Sequence, residues 1–391
     1  MKTSIPALAL ALALAASTPA IAMESMDDME GVMMQSGDWH LMAHGWVNAV
    51  YDNQGGPRGD HDTFSNSMFM GMASRPLAAG SLELHAMLSL DPAMGKGGYP
   101  LLFQTGETAD GVTTLVDRQH PHDFFMELSA AYSQPLGDSG SVSIYGGLPG
   151  EAALGPPSFM HRFSGMRIPE APLTHHWLDS THVTMGVVTL AATQGPITVE
   201  ASAFNGREPD QFRWNIETRA FDSWSARATW NPTAALSMQA SYGYLASPEE
   251  LEPDLSVRRT TISAIYTTDL AGSKWGTTLA WGRNDKRDPE HERKLDGWLL
   301  ESALELTPQH TVFARAEQVN NDELFAVPDP RAGQALKVGK LSVGYIYDFT
   351  RTGPLRWGIG ALASAFRVPA EAVPAYGAHP GAYMVFLQVR L

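Results

Sequence analysis

The chain has no cysteine. That excludes disulfides and thiolate metal sites, so any metal must be held by His, Met, carboxylate or backbone groups. Basic residues are scarce: 27 Lys and Arg stand against 42 Asp and Glu, a formal net charge of −15. Such a balance argues against nucleic acid as a partner, which wants basic faces. No stretch reaches the roughly 18 consecutive apolar residues that a membrane-spanning helix requires. The N-terminus instead carries Lys2, a short apolar run from Ile5 to Ala16 and the small-x-small tripeptide Ala20-Ile21-Ala22. This pattern predicts a secretory signal peptide over residues 1–22. Residues 23–38, MESMDDMEGVMMQSGD, are acidic, Met-rich and without period, which predicts a leader disordered in the periplasm or loosely plugging the pore. An exported chain without a helical anchor is expected.

What is there is alternation. From Trp39 to Leu391 about sixteen segments (fourteen to eighteen) alternate apolar and polar residues, and the connections between them alternate short and long. In 39–51 the apolar face is Trp39, Leu41, Ala43, Val47, Ala49 and Tyr51, and in 235–245 it is Leu236, Met238, Ala240, Tyr242 and Tyr244. The last segment gives Tyr383, Val385, Leu387, Val389 and Leu391. Residues two apart share a strand face, so each set is one stripe. The opposite face carries Ser237, Gln239 and Ser241, then Arg259, Thr261 and Ser263, then Arg315 and Glu317. Strands in lipid must pair every backbone group, which only a sheet without edges allows. The expected fold is an all-β, closed antiparallel transmembrane β-barrel over residues 39–391, with short periplasmic turns and long external loops. The third external loop, 150–178, is rich in Pro and aromatics.

In this architecture the chain resembles the Gram-negative outer-membrane porins. The resemblance implies residence in the cell outer membrane among its lipid, a channel for small hydrophilic solutes or ions, no enzymatic activity, insertion by the barrel assembly machinery and, often, a homotrimer. The third external loop of such barrels often folds inward and narrows the channel, and the resemblance implies the same for 150–178. Such barrels commonly end in Phe or Trp; this one ends in VFLQVRL, with Leu391 last.

Histidine and methionine crowd the first half. One strand places His40, Met42 and His44 on the face opposite its lipid stripe, the next Met68, Met70 and Met72, and the next Glu83, His85 and Met87. Neighbouring strands lie about 4.8 Å apart, so these donors face one wall of the lumen. Thioether with imidazole is a soft donor set suited to copper-like ions. In this mixture the protein resembles copper-resistance outer-membrane proteins, which implies binding or passage of copper or another soft metal ion. The bland alternative is packing, because Met is a flexible filler.

The long loops hold a second group. Loop 91–121 runs into DRQHPHD, bringing His120, His122 and Asp123 together, and 150–178 carries Glu151, His161, Glu170, His175 and His176, with His182 just beyond. This density suits Zn²⁺ or Cu²⁺ without matching a known motif; a hydrogen-bonded loop scaffold is the alternative. Arg219, Arg227, Arg259, Arg315, Glu301, Glu305 and Glu317 are expected in the lumen, either as a transverse field that selects solutes or as salt bridges across the wall. Three functions follow: a porin-like channel with a bias toward soft metals, a metal-resistance binding protein without an open channel, or an outer-membrane lipase-like enzyme using Ser180 and His182 on one strand wall.

Overall fold

The structure, a computed structural model, describes residues 31–391 apart from 271. The signal-peptide expectation and residues 23–30 of the leader therefore lie outside the described residues. In chain order the strands are β1 (Val32–Ser36), β2 (Trp39–Gln54), β3 (His61–Leu77), β4 (Gly80–Leu88), β5 (Tyr99–Thr108), β6 (Thr114–Gln119), β7 (Phe125–Leu136), β8 (Gly140–Gly147), β9 (Val187–Gln194) and β10 (Ile197–Phe204). They continue as β11 (Ser223–Thr233), β12 (Leu236–Ala246), β13 (Ser256–Leu270), β14 (Ser273–Arg287), β15 (Glu292–Thr307), β16 (His310–Asn321), β17 (Leu336–Thr352), β18 (Leu355–Arg367) and β19 (Gly381–Arg390). One short helix, α1 (His175–Leu178), bears on the site.

Sixteen of these strands close into one antiparallel barrel. Each pairs with the next, and the seam is β19 on β2, with Arg390 opposite Trp46 and Ala382 opposite Gln54. Closure leaves no free edge in lipid. No helix among the described residues is long and apolar enough to cross a membrane; the crossing is done by strands. The expected stripes face outward: Leu341, Val343, Tyr345, Tyr347 and Phe349 of β17 are all exposed, as are Tyr383, Val385 and Leu387 of β19. Short turns and long connections alternate as the sequence predicts.

The end of the leader departs from expectation. Val32–Ser36 form β1, which pairs with the start of β2, Val32 opposite Ala43 and Ser36 opposite Trp39. The seam explains it: β19 stops at Arg390, and β1 continues along the edge of β2 that β19 leaves uncovered. Backbone pairing there outweighs the polar, aperiodic character of the segment.

The lumen also differs from a simple wet interior. Phe313, Leu362, Phe366, Met384 and Phe386 point inward and are buried. Side chains at Gly344 and Gly360 would collide with the rings of Phe313 and Phe386, so glycine is what lets aromatic rings lie against the inner wall. The partner of this apolar face is loop 148–186, which folds inward as expected. Phe163, Ile168, Leu173, Trp177 and Leu178 join the buried core with the β5–β6 residues Tyr99, Leu101, Leu102 and Phe103. Residues that would line a water-filled pore, among them Thr261, Thr278, Glu301 and Arg315, are almost fully covered. At this level the barrel is filled.

Candidate metal site

Charge pairs seat the loop. Arg162 reaches Asp179 at 2.7 Å and Glu301 of β15 at 2.7 Å, and Glu301 also binds Arg315 of β16 at 3.0 Å. Lys340 of β17 lies 2.6 Å from Glu170, and Arg167 2.6 Å from Glu305. Thr174, just before α1, donates from backbone N–H and hydroxyl to Glu317 of β16, both at 3.0 Å. Trp177 Nε1–H donates to the Leu295 carbonyl at 3.1 Å. The expected lumen charges thus bridge wall to loop. Arg227 follows the same rule, on Glu200 and the Gly155 carbonyl, and Arg259 meets Ser180 and Asn284. Arg219 is the exception: it is an exposed loop residue beside Glu217, because β11 starts only at Ser223 and the alternation that suggested an inward residue does not begin there.

With the loop held this way, α1 and the turn after it meet the segment that follows β6. Five imidazoles form a chain of ring contacts. Centroids are 5.8 Å apart for His120 and His176, 5.6 Å for His176 and His175, 5.0 Å for His175 and His182, and 5.5 Å for His182 and His122. They line a cavity of about 20 Å³ together with Glu107, Asp123, Glu208 and Arg213, room for one water molecule or one ion.

Four of the rings are oriented from behind, while the fifth, His176, turns Nδ1 to Glu208 Oε1 at 3.4 Å on the cavity wall. His182 Nδ1 faces the Asp179 carbonyl at 2.9 Å, and His120 Nδ1 the Pro121 carbonyl at 3.2 Å. A carbonyl only accepts, so Nδ1 carries the proton and Nε2 keeps a lone pair. His122 Nδ1 meets Asp91 Oδ2 at 3.0 Å, and His175 Nδ1 meets Asp179 Oδ1 at 2.8 Å. Asp91 opens the turn after β4 and is itself fixed by the Ser67 N–H of β3 at 2.7 Å. The buried Nε2 atoms of His122, His176 and His182 make no hydrogen bond. His120 Nε2 makes none either, although Glu107 Oε1 is 3.3 Å away.

The electrostatics keep most of these rings neutral. Burial, then the neighbouring His176, pushes His120 down to about 3. Burial likewise lowers His175 and carries His182 well below the ordinary imidazole value. His176 goes the other way: burial opposes its charge, but the carboxylates of Glu208 and Glu249 raise it to about 8. Ligand atoms of His176, Glu208 and Glu249 lie within 4.8 Å of one another. Arg213 binds both Glu107 and Asp123, the latter at 3.1 Å, so Asp123 sits at the cavity wall with a charge partner.

Of the residues marked in the sequence, His120, His122 and Asp123 converge here with His175, His176 and His182. The inner-wall set lies elsewhere in the lumen. Met42, His44, Met68, Met70, Met72, His85 and Met87 are all buried and face inward. His40 does not join them. It is exposed at the strand end, opposite Ser74 and Gln35, where the loop does not reach. Asp91, Asp179, Glu208 and Glu249 are absent from the sequence-based ligand sets. Asp179 has a local signal, since His175, Asp179 and His182 sit at helical spacing in HHWLDSTH. Glu208 and Glu249 come from other loops and have none.

Ser180 and His182 lie in a short 3-10 turn rather than on a strand wall. Ser180 Oγ accepts from Arg259 at 3.0 Å, and His182 spends Nδ1 on a carbonyl. That is not the nucleophile–base hydrogen bond a hydrolase needs.

No protein-family model and no curated protein sequence matches the chain. Solved structures do. OmpF of Salmonella typhi, solved with daunomycin, is 8% identical with a TM-score of 0.56, over 92% of this chain and 100% of that one. OprB of Pseudomonas putida is 10% identical with a TM-score of 0.57, over 90% and 94%. An anion-selective porin from Comamonas acidovorans is 10% identical with a TM-score of 0.54, over 90% and 100%. The fold is that of the porins. With its apolar outer belt, the chain has the fold of the Gram-negative outer-membrane β-barrels.

Proposed function

We propose that this barrel handles metal ions, holding a transition-metal dication in a lumen that its own loop fills. The observation that carries the reading is four imidazoles lining one cavity, each with Nδ1 held by a carbonyl or carboxylate, three of them (His120, His122 and His182) with a buried Nε2 that makes no hydrogen bond. Metal-binding histidines have this second-shell arrangement, which sets the tautomer and orients the lone pair. With metal–nitrogen distances near 2.0–2.1 Å, two imidazoles on one tetrahedral ion have centroids roughly 5 Å apart. The His122–His182 and His175–His182 spacings match that. Neutral imidazoles beside carboxylates suit Zn²⁺, Cu²⁺ or Co²⁺. Export through a cleaved leader, insertion by the barrel assembly machinery, residence in a Gram-negative outer membrane and assembly as a homotrimer belong to the same proposal.

An open channel for small solutes is the second reading, and the porin fold favours it. Metal analysis and planar-bilayer recording on the same detergent-purified barrel separate the two. The proposal expects about one dication retained per chain and little steady current. Large steady current with no retained metal would overturn it.

A further inference from the structure

The loop cavity takes its donors from imidazole and carboxylate. A different donor set lies on the inner wall, among strands β2 to β4. Register places His44 opposite Met70 and Met70 opposite Met87; one step along, Met42 faces Met72, and Met72 faces His85. Adjacent strands are about 4.8 Å apart, so the donors in each row stand side by side. The inward loop closes over them. Its Met160 belongs to the same buried cluster, which brings the next residue, His161, to this side of the lumen. His85 Nε2 is buried without a hydrogen-bond partner. Glu127 of β7, opposite Met87, accepts at Oε1 from Ser129 at 2.6 Å and from Tyr145 at 2.9 Å.

Packing alone does not explain the composition. Among the described residues, eight of the eleven buried members of this cluster are methionine. Of the 29 buried residues in the larger lumen core one is methionine, Met384, with Met94 and Met166 half-buried at its edge. Both cores fill space between wall and loop, so a filler would be shared between them. Methionine is instead concentrated where histidines accompany it. Thioether and imidazole are soft and uncharged, and such a set favours a large, polarisable ion of low charge over a dication that needs carboxylates.

We propose that His44, His85 and His161, with the thioethers of Met70, Met72 and Met87, form a second site for a soft monovalent ion of the Cu(I) and Ag(I) class. The site deepens the metal-handling reading but shares no residue with the loop cavity, so either stands or falls without the other. Ag(I) titration of the full-length folded barrel in detergent tests it, with Co(II) titrated separately. The double substitution M70L/M72L keeps the apolar volume, and His161→Ala removes the donor supplied by the loop while leaving the wall intact. Each is expected to weaken Ag(I) binding at least tenfold and leave Co(II) binding unchanged, whereas His122→Ala does the reverse. Ag(I) affinity that survives both, or falls with His122→Ala, would overturn the second site. Loss of Co(II) binding to the unsubstituted barrel with Ag(I) binding intact would sink only the dication site.

Discussion

The two halves of the wall treat the inward loop differently. Strands β15 to β17 grip it with ions: Glu301 and Arg315 on Arg162 and the Glu170 carbonyl, Glu305 on Arg167, Lys340 on Glu170. Strands β2 to β4 meet it with thioethers and imidazoles. Buried charges are tolerated only when paired and hydrogen-bonded, and breaking such a pair is costly. The ionic half therefore fixes where the loop lies. The softer half has no such duty, and under the proposal above anchoring on one side leaves the other to hold ligands.

Breaking the anchor has the largest expected effect. Arg162→Met strips Asp179 of its guanidinium, a loss of about 3–5 kcal/mol for a buried pair. The loop should become susceptible to protease, the single-channel current should rise, and dication binding should fall because Asp179 orients His175 and His182. A variant with unchanged current and intact loop would mean the ionic half does not hold the plug.

The next effect sharpens the ligand side. Asp91→Asn leaves His122 in place but weakens the group behind it. Dication affinity is expected to drop about 10- to 100-fold, the usual cost of removing an outer-shell partner, with Ag(I) affinity unchanged. Isothermal titration reads both.

Acid probes the anchor more gently. Burial alone would raise the Asp179 carboxyl, but Arg162 and then His175 hold it below its ordinary value of 3.8. A depressed carboxylate contributes stability in full above its unfolded pKa, and that contribution is lost as pH falls through the folded one. Loop seating, followed by protease resistance, should persist at neutral pH and loosen only below the ordinary carboxylate range. In R162M the acid transition should move to higher pH.

The smallest effect is expected at Met68, which faces Trp46 rather than a histidine. Met68→Leu conserves volume and should cost less than about 1.5 kcal/mol, with Ag(I) binding unaffected. A loss of Ag(I) binding there would say that the whole cluster matters and the histidine-flanked rows are not special.

The barrel is legible in the sequence because lipid imposes a period of two on every strand and pairing forbids gaps. Leu341 to Phe349 and Tyr383 to Leu387 show their exposed face without any structure. The filling of the lumen is not legible. An inward Phe313 or Phe386 carries no local mark separating a pore lining from a core, since its partner is a loop more than a hundred residues away. The same holds for the site. His120, His122 and Asp123 stand out by density, and His175 with Asp179 and His182 by spacing. Glu208 and Arg213 reach the cavity only through the fold. The leader misleads for a related reason: β1 is stabilised by an edge of β2 that exists only where β19 ends.

The most direct test of an imidazole-built ion site in the lumen is the visible absorption of the Co(II)-loaded barrel. The account predicts about one Co(II) per chain with the intense bands of a four-coordinate nitrogen and oxygen environment, and their disappearance in the His122→Ala/His182→Ala variant. No retained Co(II), or a spectrum indifferent to those two substitutions, would contradict it.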